Sequence, residues 1–296
     1  MRTMEEYRAL VEKALQNALP QKNGFSDVLY DACAYSLYAS GKRLRPCLVL
    51  AAAEYMGVPV SEAMPYALAI EMIHTFSLIH DDLPAMDNDV LRRGKPTNHV
   101  VYGEAMAILA GDGLLTYAFE YMLQGAAKYP EHAQAHLRAI YAIASAAGLS
   151  GMGAGQSADV DYEKHGAAGK NKEALLSYIH ENKTAAMIRG ALLAGIELGD
   201  PDDKTRAAFA AYGKNMGIAF QIADDILDAT STTEEMGKTV GKDEAEGKLT
   251  YVALYGLDEA RVHLENLTRD AITAIEPVDR KHYFASLAQA LLTRKN

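Results

Sequence analysis

Residues 216–230, MGIAFQIADDILDAT, restrict what this chain can fold into more than any other stretch. On an α-helix Gln221, Asp224, Asp225 and Asp228 fall at i, i+3, i+4 and i+7, one continuous polar stripe. The residues around that stripe are apolar: Ile218, Ala219, Phe220, Ile222, Ala223, Ile226 and Leu227. Such a helix is buried on nearly every side, and its carboxylates must face an internal or cleft-like space. Buried carboxylates are costly unless something neutralises them.

The pattern recurs in the other half of the chain. Residues 79–94, IHDDLPAMDNDVLRRG, follow the apolar run YALAIEM and carry four acids and two adjacent arginines. His74 and Ser77 precede Asp81 by two turns and one turn on the same helical face. Pro84 disfavours helix at Leu83, and a bend there would let Asp87 swing back towards Asp81. Carboxylates from two helices across a cleft suit a hard divalent cation. Mg²⁺ takes one or two of them and completes its octahedron with water and substrate phosphate oxygens. The segment GKRLRP, residues 41–46, sets Lys42, Arg43 and Arg45 at an apolar helix start, and Arg92 and Arg93 follow the first acidic cluster. Guanidinium groups match phosphate oxygens bidentately. Taken singly, short basic runs are mostly solvated surface and a lone histidine is more often a core residue. Two acidic and two basic clusters in one helical chain point to a metal–diphosphate site.

Helix is the dominant signal, in segments such as RAIYAIASAAGL, and no alternating strands joined by tight turns are present. Pro20, Pro59, Pro65, Pro84, Pro96, Pro130, Pro201 and Pro277 are expected at joints. Without a biased linker, residues 1–296 read as a single all-α domain. Residues 161–173 and 230–250 read as long loops. The N-terminal MRTMEEYRALVEKALQ is an amphipathic helix and not a signal peptide. No apolar stretch reaches the roughly 20 residues of a membrane span. A net charge of −10 argues against nucleic acid as a partner. Cys33 and Cys47 have no metal-ligand spacing and read as small core residues, compatible with the cytoplasm.

The motifs GKRLRP, DDLPAMD, LRRGKPTNH, GQSADV, NKT, FQIADDILD and GKTVGKD…GK resemble, in order, those of the short-chain trans-isoprenyl diphosphate synthases, the farnesyl and geranylgeranyl group. The resemblance implies an isoprenoid synthase-type bundle of roughly ten or more helices around a central cavity, usually a homodimer. It assigns Asp81, Asp82 and Asp87, with Asp224, Asp225 and Asp228, to three Mg²⁺ ions, with Asp81, Asp87 and Asp224 foremost. Gly41, Lys42, Arg45, His74 and Arg93 would hold isopentenyl diphosphate. Arg92, Lys183, Thr184, Gln221, Lys238 and Lys248 would surround an allylic diphosphate, dimethylallyl or geranyl. Lys183, Thr184 and Gln221 would also steady the allylic cation. Phe76 and Ser77 stand where the family sets product length, and an aromatic there resembles bacterial farnesyl synthases; the helical wheel alone puts Phe76 about 140° from Asp81. Val90 departs from the many relatives that carry another Asp at this place. The expectation is a C15 product, with a C20 synthase or a non-catalytic modulating subunit as alternatives. A terpene cyclase fits poorly, because it would leave GKRLRP without a purpose.

Overall fold

The computed structural model describes residues 1–22, 24–230 and 248–292, and these are almost wholly helical. They form two compact units, Met1–Tyr141 with Ala194–Asp200, and Ala142–Leu193 with the described residues from Pro201 onward. The all-α expectation holds.

The first unit begins with α1 (Met4–Leu15), α2 (Asp27–Leu37), α3 (Leu44–Tyr55) and α4 (Val60–Asp81). It continues through α5 (Asn98–Tyr102) and α6 (Glu104–Ala126) into the start of α7 (Ala133–Ala147). Thr3 opens α1 with a capping box: Glu6 N–H donates to Thr3 Oγ1 at 3.2 Å and Thr3 N–H to Glu6 Oε2 at 2.8 Å. Tyr7, Val11 and Leu15 then bury one face, as the amphipathic reading requires. From Pro46 to Ala53 every residue of α3 is buried, as is every residue of α4 from Tyr66 to Ile73. These two helices make the centre of the unit, with α6 packed on α4. Pro65 departs from its expected place at a joint and lies inside α4. Near the helix start a proline forfeits one hydrogen bond, and its ring fits against Gly125 of α6, where a β-carbon would come within 2.7 Å.

The second unit holds α8 (Met152–His165), α9 (Lys172–Ile179), a π-helical turn (His180–Ala185), most of α10 (Ala186–Glu197) and α11 (Asp203–Thr230). It ends with α12 (Tyr251–Tyr255), α13 (Leu257–Ile275) and α14 (Tyr283–Leu292). The long α11 packs on α13, α14 and the π turn. Phe209 meets Phe284 edge-on at 4.9 Å, and Tyr212 donates its hydroxyl to the Phe284 carbonyl at 2.8 Å. Leu175, Leu176, Ile179 and Leu249 form a smaller core under Tyr162, Tyr251 and Tyr255.

One loop expectation changes. Helix occupies most of residues 161–173, because α8 runs to His165 and α9 begins at Lys172. Asp161 supports that helix end, accepting from His165 one turn on at 3.0 Å and from Lys170 at 3.1 Å. Most of the other segment, residues 231–247, lies outside the described residues. A two-residue hairpin also forms where no strand was expected: Leu91–Arg92 pairs antiparallel with Lys95–Pro96. Its turn residues Arg93 and Gly94 have φ of 53° and 74°, the positive values such two-residue turns require. Among the described residues no helix is long and apolar enough to cross a membrane.

Candidate functional site

In the first unit the site grows from the C-terminal end of α4. The helix ends at Asp81 with Asp82 as its cap, before Pro84. The chain then folds back, and the Asp87 N–H donates to the Asp81 carbonyl at 2.9 Å. The bend expected at Leu83–Pro84 therefore does return Asp87 to the neighbourhood of Asp81. Asp81 and Asp87 are half-buried, whereas Asp82 is buried and gripped by Arg92. Arg92 Nε donates to Asp82 Oδ1 and Oδ2 at 2.8 and 3.0 Å, and an Arg92 Nη donates to Oδ1 at 2.6 Å. Both oxygens of Asp82 are thus engaged by a guanidinium. Burial raises the Asp82 carboxyl above its ordinary range, and Arg92 opposes that shift without overcoming it.

The charges of four arginines of this unit act on His74, two turns back along α4. Burial pushes its imidazole well below the ordinary value, and the charges of Arg45, Arg93, Arg92 and Arg43 push it further. The imidazole is therefore neutral at pH 7, a hydrogen-bonding group amid positive charge. The arginines differ in their engagements. Arg43 is buried and bound to Glu71 at 2.7 Å, to Glu12 at 2.9 Å and to two carbonyls, so it is part of the core. Arg93 donates to the Ser40 carbonyl at 2.6 Å, and its guanidinium lies over Gly41, where a β-carbon would come within 2.6 Å. A side chain at residue 41 would therefore displace the Arg93 guanidinium from this position. Ser77 donates to the His74 carbonyl at 2.9 Å. The Phe76 ring packs edge-on against His80 at 5.6 Å.

In the second unit the π turn carries Lys183 and Thr184. Wide turns of this type re-aim side chains within a helical run and recur at functional sites. Asn182 holds the turn by donating to the Tyr178 carbonyl at 2.8 Å. Gly155 of α8 lets the turn approach, since a β-carbon there would lie 2.1 Å from the Lys183 nitrogen. Four residues on, Asp159 accepts from Lys183 Nζ at 2.6 Å. Thr184 donates its hydroxyl to Gln221 Oε1 at 2.7 Å, and Gln221 Nε2 donates to Asp225 Oδ1 at 3.0 Å. The other Asp225 oxygen accepts from the Tyr251 backbone N–H at 3.1 Å and lies 3.8 Å from His180. Asp224 is half-buried, and Asp228 is buried. Lys248 Nζ lies 3.9 Å from Glu163; Lys238 and the motif around it lie outside the described residues.

The structure thus links Thr184, Gln221 and Asp225 in one hydrogen-bonded chain, with the Lys183–Asp159 pair a separate contact from the same π turn, and it sets Arg92 on Asp82 and Arg93 on the Ser40 carbonyl. The sequence reading did not single out Asp159, Ser40 or His180 as partners. Asp159 had a signal, its i+4 spacing from Gly155 in GQSADV; the Ser40 carbonyl had none.

Residues 26–284 match the family described as Polyprenyl synthetase. The chain is 46% identical over 265 residues to a farnesyl diphosphate synthase of Geobacillus stearothermophilus, covering 88% of this chain and 86% of that one. It is 42% identical over 294 residues to a geranylgeranyl diphosphate synthase of Cyanophora paradoxa, covering 98% and 95%. Among solved structures, a geranyltransferase from Helicobacter pylori complexed with magnesium and isoprenyl diphosphate is similar at a TM-score of 0.82 and 32% identity, over 98% and 95% of the two chains.

Proposed function

This chain belongs to the polyprenyl synthetase family, and on that premise we propose that it condenses isopentenyl diphosphate with dimethylallyl or geranyl diphosphate to give farnesyl diphosphate. The observation that carries the reading is the Arg92 guanidinium locked on Asp82 at the end of α4, beside the half-buried Asp81 and Asp87 that the folded-back chain brings together. A diphosphate is the anion such a set recognises. Gly41, Lys42, Arg45, His74 and Arg93 hold isopentenyl diphosphate. Arg92, aimed by Asp82, and Lys183, aimed by Asp159, hold the allylic diphosphate with Lys248 and Lys238. Asp81, Asp87, Asp224 and Asp228 offer hard oxygen donors that fit Mg²⁺, three ions with the diphosphate in place, with Asp82 and Asp225 as supporting acids. When bound, Mg²⁺ supplies charge that favours departure of the diphosphate.

The allylic C–O bond breaks and its electron pair leaves with pyrophosphate. Thr184 donates its hydroxyl hydrogen bond to Gln221, so the lone pairs of its oxygen stay available to the allylic cation. The double bond of isopentenyl diphosphate supplies the electron pair of the new C–C bond, and the proton then lost goes to pyrophosphate. Residues 1–296 act as one catalytic domain, in a cytoplasmic homodimer.

The similarity to the Geobacillus farnesyl synthase and the aromatic Phe76 favour C15. The similarity to the Cyanophora enzyme keeps C20 as the second reading. Purified protein with Mg²⁺, labelled isopentenyl diphosphate and geranyl diphosphate, followed by dephosphorylation and separation of the alcohols, decides between them. Farnesol as main product is expected, with longer alcohols from Phe76→Ala. Geranylgeraniol from the wild type overturns the C15 assignment, and an unchanged profile in Phe76→Ala removes Phe76 from the role. No condensation at all leaves a modulating subunit.

A further inference from the structure

We propose that Glu62, His132 and His136 form a Zn²⁺ site that ties the first turn of α4 to the first turn of α7 and the residue just before it, remote from the diphosphate chemistry. Glu62 lies 19 residues before Asp81 on the same helix, roughly 28 Å along its axis. His132 and His136 are spaced i, i+4, so their rings share a face, and they lie 6.4 Å apart between centroids. Glu62 Oε1 is 3.1 Å from His132 Nδ1 and 3.2 Å from His136 Nε2, and the three ligand atoms all lie within 4.8 Å of one another. A tetrahedral ion with bonds near 2.0–2.1 Å needs ligand atoms about 3.3 Å apart, and imidazole with carboxylate is a donor set that Zn²⁺ takes.

The surroundings favour a cation. Glu62 and His136 are buried, and the contacts of the Glu62 carboxylate among the described residues are with the two imidazoles. Arg138, the cation of the same helix, is engaged by Glu197 at 2.8 Å and Asp200 at 2.6 Å. A divalent ion would supply the missing charge. The other ring nitrogen of His136 meets the Tyr66 hydroxyl at 2.6 Å, and Tyr129 stacks on the ring at 5.5 Å. Metal-bound histidines are oriented in this way through their second nitrogen. His132 is half exposed, which leaves an entry path and an outward coordination position.

The test is equilibrium dialysis of chelator-stripped full-length protein against ⁶⁵Zn²⁺ in excess Mg²⁺, with Co²⁺ absorption as a readout of geometry. Wild type should bind near one equivalent, show tetrahedral Co²⁺ bands and melt at higher temperature with Zn²⁺. His132→Ala, a substitution at the exposed ligand, should weaken binding at least tenfold and abolish the Co²⁺ bands and the Zn²⁺-dependent Tm rise. Its Mg²⁺-dependent condensation rate should stay at the wild-type level. Glu62→Gln should do the same. Zn²⁺ binding that His132→Ala leaves unchanged, or no binding by wild type, would mean that the three side chains are only hydrogen-bonded to one another.

Discussion

Asp82→Asn separates aiming of a guanidinium from direct ligation of an ion. In the structure three contacts of 2.6–3.0 Å lock Arg92 onto the Asp82 carboxylate. Asparagine keeps one acceptor oxygen but loses the charge and the fork. A hydrogen bond to a charged group is worth about 1.5–3 kcal/mol net, so loss of Arg92 orientation should lower kcat/KM for geranyl diphosphate by about 10- to 150-fold. Stability should change far less, for two reasons. The Arg92 side chain is 33% exposed and can be rehydrated. The Asp82 carboxyl is also held above its unfolded pKa by burial. A group raised in the folded state adds stability below its unfolded pKa, and that stability is lost as pH rises through the folded pKa. At neutral pH the ionised carboxylate is therefore held at a cost, and removing its charge returns part of that cost. We expect a stability change of about 1 kcal/mol or less, a Tm shift of roughly 2 °C or less. The assay is steady-state condensation with Mg²⁺ titrated in wild type, Asp82→Asn and Asp81→Asn, beside thermal melts. Asp81→Asn should shift the Mg²⁺ dependence; Asp82→Asn should not. Rescue of Asp82→Asn by raised Mg²⁺, with a half-saturation displaced like that of Asp81→Asn, would refute the aiming role and make Asp82 an ion ligand.

Other perturbations follow from the same contacts. Gly155→Ala places a β-carbon against the backbone of Lys183, which cannot yield as a side-chain end would. It should cost about 1–3 kcal/mol in thermal or denaturant unfolding and lower kcat by displacing Lys183 and Thr184. Gln221→Leu cuts the link from Thr184 to Asp225 and leaves buried Asp225 short of a donor; kcat should fall more than KM rises, and equal changes would count against a role in the ionised state. Burial raises Cys33 to about 11 and Cys47 to about 12. The thiolate is the reactive form, so native protein at pH 8 should resist a disulfide reagent and react in denaturant. Fast native labelling at pH 8 would contradict the burial of both thiols.

The sequence by itself determined the helical class, the amphipathic α1, the bend after Asp82 and the two acidic helix segments. Each of these is local: a stripe repeats every three to four residues, and a proline restricts its own neighbour. Pairing was decided only by tertiary structure. Asp81 and Asp82 are adjacent and chemically identical in the sequence, yet one stays half-buried while the other is buried under Arg92, because side chains one residue apart point about 100° apart on a helix. Asp224 and Asp225 divide in the same way, Asp225 being held by Gln221 and by the backbone of Tyr251, 26 residues on. Glycine cradles are equally non-local: Gly155 is needed because the backbone of Lys183 arrives from elsewhere in the chain, and the Arg93 guanidinium rests over Gly41 in the same way. Pro65 was misplaced by a local rule for a similar reason, since its partner Gly125 lies on another helix. A sequence states which groups are present and which face of an element they share. Which of two equivalent carboxylates stays open to solvent and which is spent on holding a neighbour depends on what packs against that face.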